Sequence, residues 1–481
     1  MTRIGVPDRV AALVRLAAPI ALAQVGFTTM GMVDTAMVGR IDAASLAATA
    51  LGHNYVSVVS LFGLGLMLGL DPIVTQRVGA GDPRGAGRAL GHGCGLALVA
   101  LPLLLGFAAL LDGLFLRPNF VADPLLPRVV RADPAVAELA SAYFWVRLPG
   151  IVPFLLFAAM RSWLYAQHRT RAVFVAMLAA NLANVVLDYL LVFGDPGLER
   201  LGLPALGVPA LGAVGAGIVT SICNGLMALM VLPMVLRGLR AASGPAGAGP
   251  GTGAVAGMAA IARHGFPIAG QLVMEMGVFM LVAAWMGEFG NEAVGGHQIA
   301  LQVASFTFLV CVGLGSAATV QVGNAVGARD LAEARRCGLV AIGTSASWMA
   351  LCGLTFWVLA VPLAALFTDD PSVRGAAATL LRIAAIFQVV DGVQATTLGA
   401  LRGAGDTRVP FLLCLTCYWL VGLPVALLLA YSVGLAGPGL WYGLTVGLGC
   451  LGGTLFWRFL VVVRHLPARA GGGDDGTRAP G

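Results

Sequence analysis

Apolar residues run along this chain in blocks of about 20, the length a helix needs to cross the hydrocarbon core of a bilayer. The blocks are centred near Gln24, Phe62, Leu101, Phe154, Val185, Leu226, Phe279, Leu309, Leu351, Ile386, Leu423 and Gly449. Each predicts a spanning helix, which makes about twelve, six in each half of the chain. The expected fold class is an all-α polytopic membrane protein.

The polar and small residues between and within these blocks repeat. Pro19-Ile20-Ala21 returns as Pro267-Ile268-Ala269 and Val78-Gly79-Ala80 as Val326-Gly327-Ala328, in both cases 248 residues later. The same displacement pairs Arg15 with Arg263, Gly39 with Gly287, Gly65-Leu66 with Gly313-Leu314, Asp82 with Asp330 and Arg88 with Arg336. One half is a diverged copy of the other, as in transporters whose site lies between two bundles. Six spans per copy return the chain to its starting side. The copies are therefore expected to be parallel lobes related by a pseudo-two-fold axis along the membrane normal. The lobes are expected over residues 1–237 and 263–481, the latter including the tail. Between them, residues 238–262 hold the Gly/Pro-rich stretch from Ser243 to Ala254 and predict a flexible cytoplasmic linker.

Composition agrees with the pattern. Hydrophobic residues make up 58% of the chain and charged residues 11%, where a soluble domain carries about 25% charged residues. All 29 basic residues are Arg. They cluster at 3–15, 77–88, 161–171, 237–263, 329–336, 402–408 and 458–478, on one side of the predicted spans. Those falling elsewhere, among them Arg40, Arg117, Arg128, Arg131 and Arg200, are offset by acids such as Asp112, Asp123 and Asp133. By the positive-inside rule both termini should be cytoplasmic. The net charge of +6 is thus a topology signal and gives no support for nucleic-acid binding. The first apolar run is too long for a signal-peptide core and is expected to remain as the first helix.

A charge at mid-bilayer costs about 2.5 to 3.5 kcal/mol on insertion scales, so an acid inside a span needs a reason. Four acids stand out: Asp34, Asp188, Glu275 and Asp391. Helical spacing gives each a polar face. Gln24, Thr28, Gly31 and Asp34 share one on the first span. Asn181, Asn184 and Asp188 form an amide-amide-acid row on the fifth, to which Thr220 of the sixth could add a hydroxyl; such oxygens suit a hard cation such as Na⁺. Gln271 precedes Glu275 by one turn, and Gln388 and Gln394 flank Asp391. These acids do not obey the repeat: the counterpart of Glu275 is Phe27, and that of Asp34 is Val282. A dry carboxylate favours a proton and one among other oxygens favours a metal ion, so H⁺ and Na⁺ both remain open.

The pattern resembles the multidrug and toxic compound extrusion (MATE) family, closest to its NorM-like branch, from about Leu16 to about Val463. The resemblance rests on an ordered set of motifs. Pro19 is followed by Met32-Val-Asp34-Thr-Ala-Met-Val-Gly39; Pro72-Ile-Val-Thr-Gln76 by Gly79-Ala-Gly-Asp82; then come Gly296-His-Gln-Ile-Ala-Leu301 and Leu401-Arg-Gly-Ala-Gly-Asp-Thr-Arg408. It implies two six-helix lobes around a cleft that opens alternately to each side, exporting organic cations in exchange for Na⁺ or H⁺. It also implies that Asp34, Asn184, Asp188 and Thr220 form an amino-lobe cation site, and that Glu275 and Asp391 are the carboxy-lobe acids. Phe387 stands where that branch often carries Tyr. Gln24, Gln271 and Gln298 complete the set expected to meet cation or substrate, and any Na⁺ would sit at either acid group.

The expected function is that of a secondary multidrug antiporter in a bacterial inner membrane, working as a monomer among lipids on drug-like organic cations, with no cofactor beyond the coupling ion. ATP is not its fuel: a P-loop needs a Lys, and the chain has none. A flippase of lipid-linked saccharides on a related scaffold is the alternative; it would need cationic residues in the cleft, whereas the buried charges here are mainly acidic. An intramembrane enzyme is not expected, because the six His are dispersed.

Overall fold

The computed structural model describes residues 6–116, 133–242 and 253–470. Among the described residues, twelve helices are long and apolar enough to cross a membrane. They are α1 Val6–Val38, α2 Ala43–Gly79, α3 Pro83–Leu114, α4 Pro134–Ala166, α5 Thr170–Arg200, α6 Gly212–Ala241, α7 Ala254–Phe289, α8 Asn291–Gly327, α9 Leu331–Val358, α10 Pro371–Gly403, α11 Arg408–Ser432 and α12 Ala436–Arg464. Every apolar block of the sequence lies inside one of them. The described residues contain no strand.

The sequence repeat is written into the helix starts. α2 and α8, and α3 and α9, begin 248 residues apart, at Ala43 and Asn291 and at Pro83 and Leu331. From α4 onward the register shortens, Pro134 and Pro371 being 237 apart. The turns keep both registers. After α2 and α8, Gly81 (φ 70°) and Arg329 (φ 61°) are left-handed, and Asp82 N donates to Arg77 O and Asp330 N to Ala325 O, both at 2.9 Å. After α4 and α10, His168 (φ 59°) and Gly405 (φ 82°) do the same 237 residues apart, with Arg169 N bonded to Leu164 O and Asp406 N to Leu401 O, again at 2.9 Å. This hydrogen bond satisfies a carbonyl left open at a helix end. The left-handed position of the turn explains the Gly that directly precedes Asp in the motifs after α2 and α10, Gly81 and Gly405.

Where a flexible linker was expected over 238–262, the ends are helical: the helix of α6 runs one residue beyond its span, to Ala242, and α7 starts at Ala254. Ala, the strongest helix former, recurs on both flanks: Ala241 and Ala242 on one side, Ala254, Ala256, Ala259, Ala260 and Ala262 on the other. The Gly/Pro-rich part at 243–252 lies outside the described residues, as do Arg3, Arg117, Asp123, Arg128, Arg131 and Arg478.

By backbone contacts the chain divides into two compact units that do not follow the repeat boundary. One comprises Pro19–Val74 and Pro83–Met280, the other Met1–Ala18, Thr75–Asp82 and Leu281–Gly481. α1 changes unit at Pro19 and α7 after Met280. In the first unit α5 lies along α6, while α4 packs on α2, α3 and α6. Gly65 and Gly69 of α2 face the backbone of α7, where a side chain would meet Ala269 and Gly265; small residues permit such approaches in lipid, where packing rather than water release holds helices together. In the second unit α10 is the central helix, against α8, α9 and α12. There Gly399 meets Gly315 with no room for a Cβ, and Thr319 Oγ1 donates to Gly399 O at 2.8 Å.

Candidate functional site

The amino-half acids converge within the first unit. Asp34, near the end of α1, is 2% exposed. Its two oxygens are held separately: Oδ1 accepts from Asn184 Nδ2 of α5 at 3.0 Å, and Oδ2 accepts from Thr220 Oγ1 of α6 at 2.7 Å. The Thr220 hydroxyl also lies 3.1 Å from Ala216 O in its own helix. Having one proton, it chooses between the carboxylate and the backbone.

Asp188 stands one turn after Asn184 on α5, and both are fully buried. It lies within electrostatic reach of Asp34. Neither of its carboxyl oxygens has a hydrogen-bond partner, and nor does Asn184 Oδ1. Three bare oxygens beside a second carboxylate are costly in a dry interior unless positive charge joins them. Such a set suits a proton shared between the acids or a small hard cation taken by the oxygens.

A cavity of about 160 Å³ opens on this group. Asp34, Thr220 and Asn224 line its polar side, and Phe27, Met30 and Phe154 its apolar side. Two basic side chains, His53 of α2 and Arg147 of α4, also line it. Arg147 Nη1 donates to Tyr143 Oη at 2.8 Å and contacts His53 Nδ1 at 3.0 Å. Its guanidinium lies 5.6 Å from the Tyr143 ring centroid. Sequence reasoning did not find this trio: it set the histidines aside as dispersed. The Tyr143/Arg147 spacing of one helical turn was the available signal.

Other expected residues are placed less centrally. Asn181 does not extend the row on α5, because its Nδ2 donates to Met177 O at 2.9 Å; an amide near its own helix backbone can satisfy itself. Gln24 is half-buried, ten residues and so about 15 Å along α1 from Asp34, and Thr28 bonds back to its carbonyl at 3.3 Å. Gln271 is buried and Glu275 half-buried on α7, in the first unit. Asp391 is half-buried on α10, in the second unit. Beside it Gln388 and Gln394 are buried, and Gln388 Nε2 donates to Thr307 Oγ1 at 2.6 Å. Phe387 packs on Trp441 with ring centroids 5.7 Å apart. Gln298 is exposed, while its neighbour His297 is buried and accepts from Trp441 Nε1 at 3.0 Å. Asp112, grouped above with the loop acids, is in fact buried, 2.6 Å from Ser141 Oγ and 2.9 Å from Trp145 Nε1.

Known proteins match this chain along nearly its whole length. The MatE family model matches residues 19–190 and 267–428, segments whose starts are again 248 residues apart. A probable multidrug resistance protein NorM of Deinococcus radiodurans is 38% identical over 462 residues, covering 94% of this chain and 95% of that protein. The corresponding protein of Pseudomonas aeruginosa is 36% identical, covering 91% and 86%. Among solved structures, a eukaryotic MATE transporter superposes with a TM-score of 0.81 at 21% identity over 97% of this chain and 100% of its own. A Vibrio cholerae MATE transporter in a bent form gives 0.78 at 19% identity, covering 96% and 99%.

Proposed function

This chain belongs to the MATE family of multidrug efflux transporters, and from that premise we propose that it is a secondary antiporter that exports organic cations in exchange for H⁺ or Na⁺. The observation that carries the coupling is the amino-half acid pair: Asp34 with both oxygens engaged, and Asp188 with neither. Binding a proton or Na⁺ there would bring the charge that the three bare oxygens call for. Arrival and departure of that charge would bias the helices α1, α5 and α6 that carry the ligands, and so the alternation of access. Glu275 with Gln271, and Asp391 with Gln388 and Gln394, are further positions where cargo or cation would meet a carboxylate.

The energetics suffice. In one-for-one exchange of cations, a tenfold concentration gradient of the coupling ion is worth about 1.4 kcal/mol and sustains a tenfold cargo gradient. The arginine distribution supports cytoplasmic termini, the bacterial sources of the NorM relatives support an inner-membrane location, and the self-contained acid group supports action as a single chain. Transport of a fluorescent organic cation in proteoliposomes tests the reading, with proton and Na⁺ gradients imposed separately. One of the two should drive it; transport driven by neither would refute antiport.

A further inference from the structure

We infer that Arg147 is a built-in counter-charge that restricts the Asp34–Asp188 site to one monovalent cation, and that Tyr143 is the positioning residue that keeps the guanidinium from closing on the acids. The inference rests on the cation-coupling reading above and adds its charge selectivity.

Arg147 lines the same cavity as Asp34 and interacts electrostatically with both Asp34 and Asp188. Yet its hydrogen bonds go to neutral partners, the Tyr143 phenol at 2.8 Å and His53 Nδ1 at 3.0 Å. A guanidinium has five donors and ordinarily seeks a carboxylate fork. Here the carboxylate that shares its cavity, Asp34, is held at each oxygen by Asn184 and Thr220, and the phenol and ring face hold the cation aside. His53 Nδ1 accepts the arginine's proton and therefore carries none itself. The histidine in this geometry is neutral at that nitrogen, and the local positive charge is the arginine's.

The charge count follows. Two carboxylates and one guanidinium leave a net charge of −1 when all are ionised. One H⁺ or one Na⁺ neutralises it, whereas a divalent ion overshoots and meets uncompensated repulsion. Without the guanidinium the site would carry −2, which suits Ca²⁺, an ion of nearly Na⁺ size with a preference for carboxylate oxygens. Because Coulomb energy scales with ionic charge, removing the arginine should raise affinity for a divalent ion by about the square of its effect on a monovalent one. The site would then change its selectivity as well as its strength. An arginine that only braced α4 against α2 would have no such signature.

The test is isothermal titration of the purified full chain with Na⁺ and with Ca²⁺. Arg147→Met should raise Ca²⁺ affinity by about tenfold or more, and by more than Na⁺ affinity. Arg147→Lys should keep the wild-type preference, and Asp34→Asn in the Arg147→Met background should cancel the gain. Tyr143→Phe, which keeps the ring and frees the guanidinium, should shift affinity the other way, weakening cation binding as Arg147 swings to the acids; it supplies the answer if Arg147→Met does not fold. Unchanged Na⁺/Ca²⁺ discrimination in Arg147→Met, or unchanged cation binding in Tyr143→Phe, would overturn the inference. Failure of the antiport reading would show separately, as transport insensitive to both gradients.

Discussion

Thr220 Oγ1 lies 2.7 Å from Asp34 Oδ2, across the α1/α6 interface and with the Ala216 carbonyl as its other choice of acceptor. The hydroxyl thereby reports the state of the acid: it donates to the ionised carboxylate and can fall back on its own helix when Asp34 is neutralised. Thr220→Val keeps shape and removes the donor. A hydrogen bond to a charged group contributes about 1.5 to 3 kcal/mol, so the variant should shift the half-saturating concentration of the coupling ion by about tenfold or more. Thr220→Ser should restore it. Ion-dependence of transport in proteoliposomes reads both.

Asp188 gives a prediction of opposite sign for stability and function. Because neither of its oxygens has a partner, Asp188→Asn loses no hydrogen bond and removes a buried charge. Its melting temperature in detergent should equal or exceed that of the parent chain, while gradient-driven transport is lost. A destabilised Asp188→Asn, or an active one, would contradict the geometry.

The turn after α10 is tied to α12 by Asp406 Oδ2 and Arg458 Nε at 2.7 Å, with side chains 8% and 20% exposed. Breaking a pair so largely buried leaves one charge without its partner, at a cost of about 1 to 3 kcal/mol after discounting for the exposed part. Asp406→Asn and Arg458→Met should each lower stability, and the double substitution should cost less than their sum. A thermal-melt double-mutant cycle checks this.

Asp42 caps α2 between two spans. Its Oδ1 accepts from Ser45 N at 2.6 Å and its Oδ2 from Ser45 Oγ at 3.0 Å. These bonds, the backbone one first, hold the carboxyl below its usual value of 3.8. A carboxyl depressed in the folded state stabilises above its unfolded value and loses that contribution as pH falls through the folded one. Asp42→Ala should therefore melt earlier than the parent at neutral pH, with the difference narrowing as pH falls below the usual carboxyl value of 3.8. A difference independent of pH would assign the effect to packing instead.

How far the sequence spoke differs from residue to residue. The twelve spans were legible because apolar blocks of bilayer length have no other stable fate. Asp34, Asn184, Asp188 and Thr220 were legible because acids and amides inside such blocks are conspicuous, and the family resemblance grouped them. Asn181 shared their face, yet its amide is satisfied by its own helix, a competition that spacing cannot weigh. His53 and Arg147 are 94 residues apart and meet only through the packing of α2 on α4, so no local pattern announced the cluster. Asp112 read as a loop charge because it ends an apolar block; only the fold shows Ser141 and Trp145 closing over it.

The central claim is that charge on the Asp34–Asp188 pair couples the ion gradient to export. Its most direct measurement is gradient-driven transport of a fluorescent organic cation in proteoliposomes holding either the parent chain or Asp34→Asn at matched protein density. The account predicts that a proton or Na⁺ gradient drives the parent and that the same gradient drives no transport by Asp34→Asn. Asp34→Asn vesicles that respond to the gradient as the parent does would contradict it.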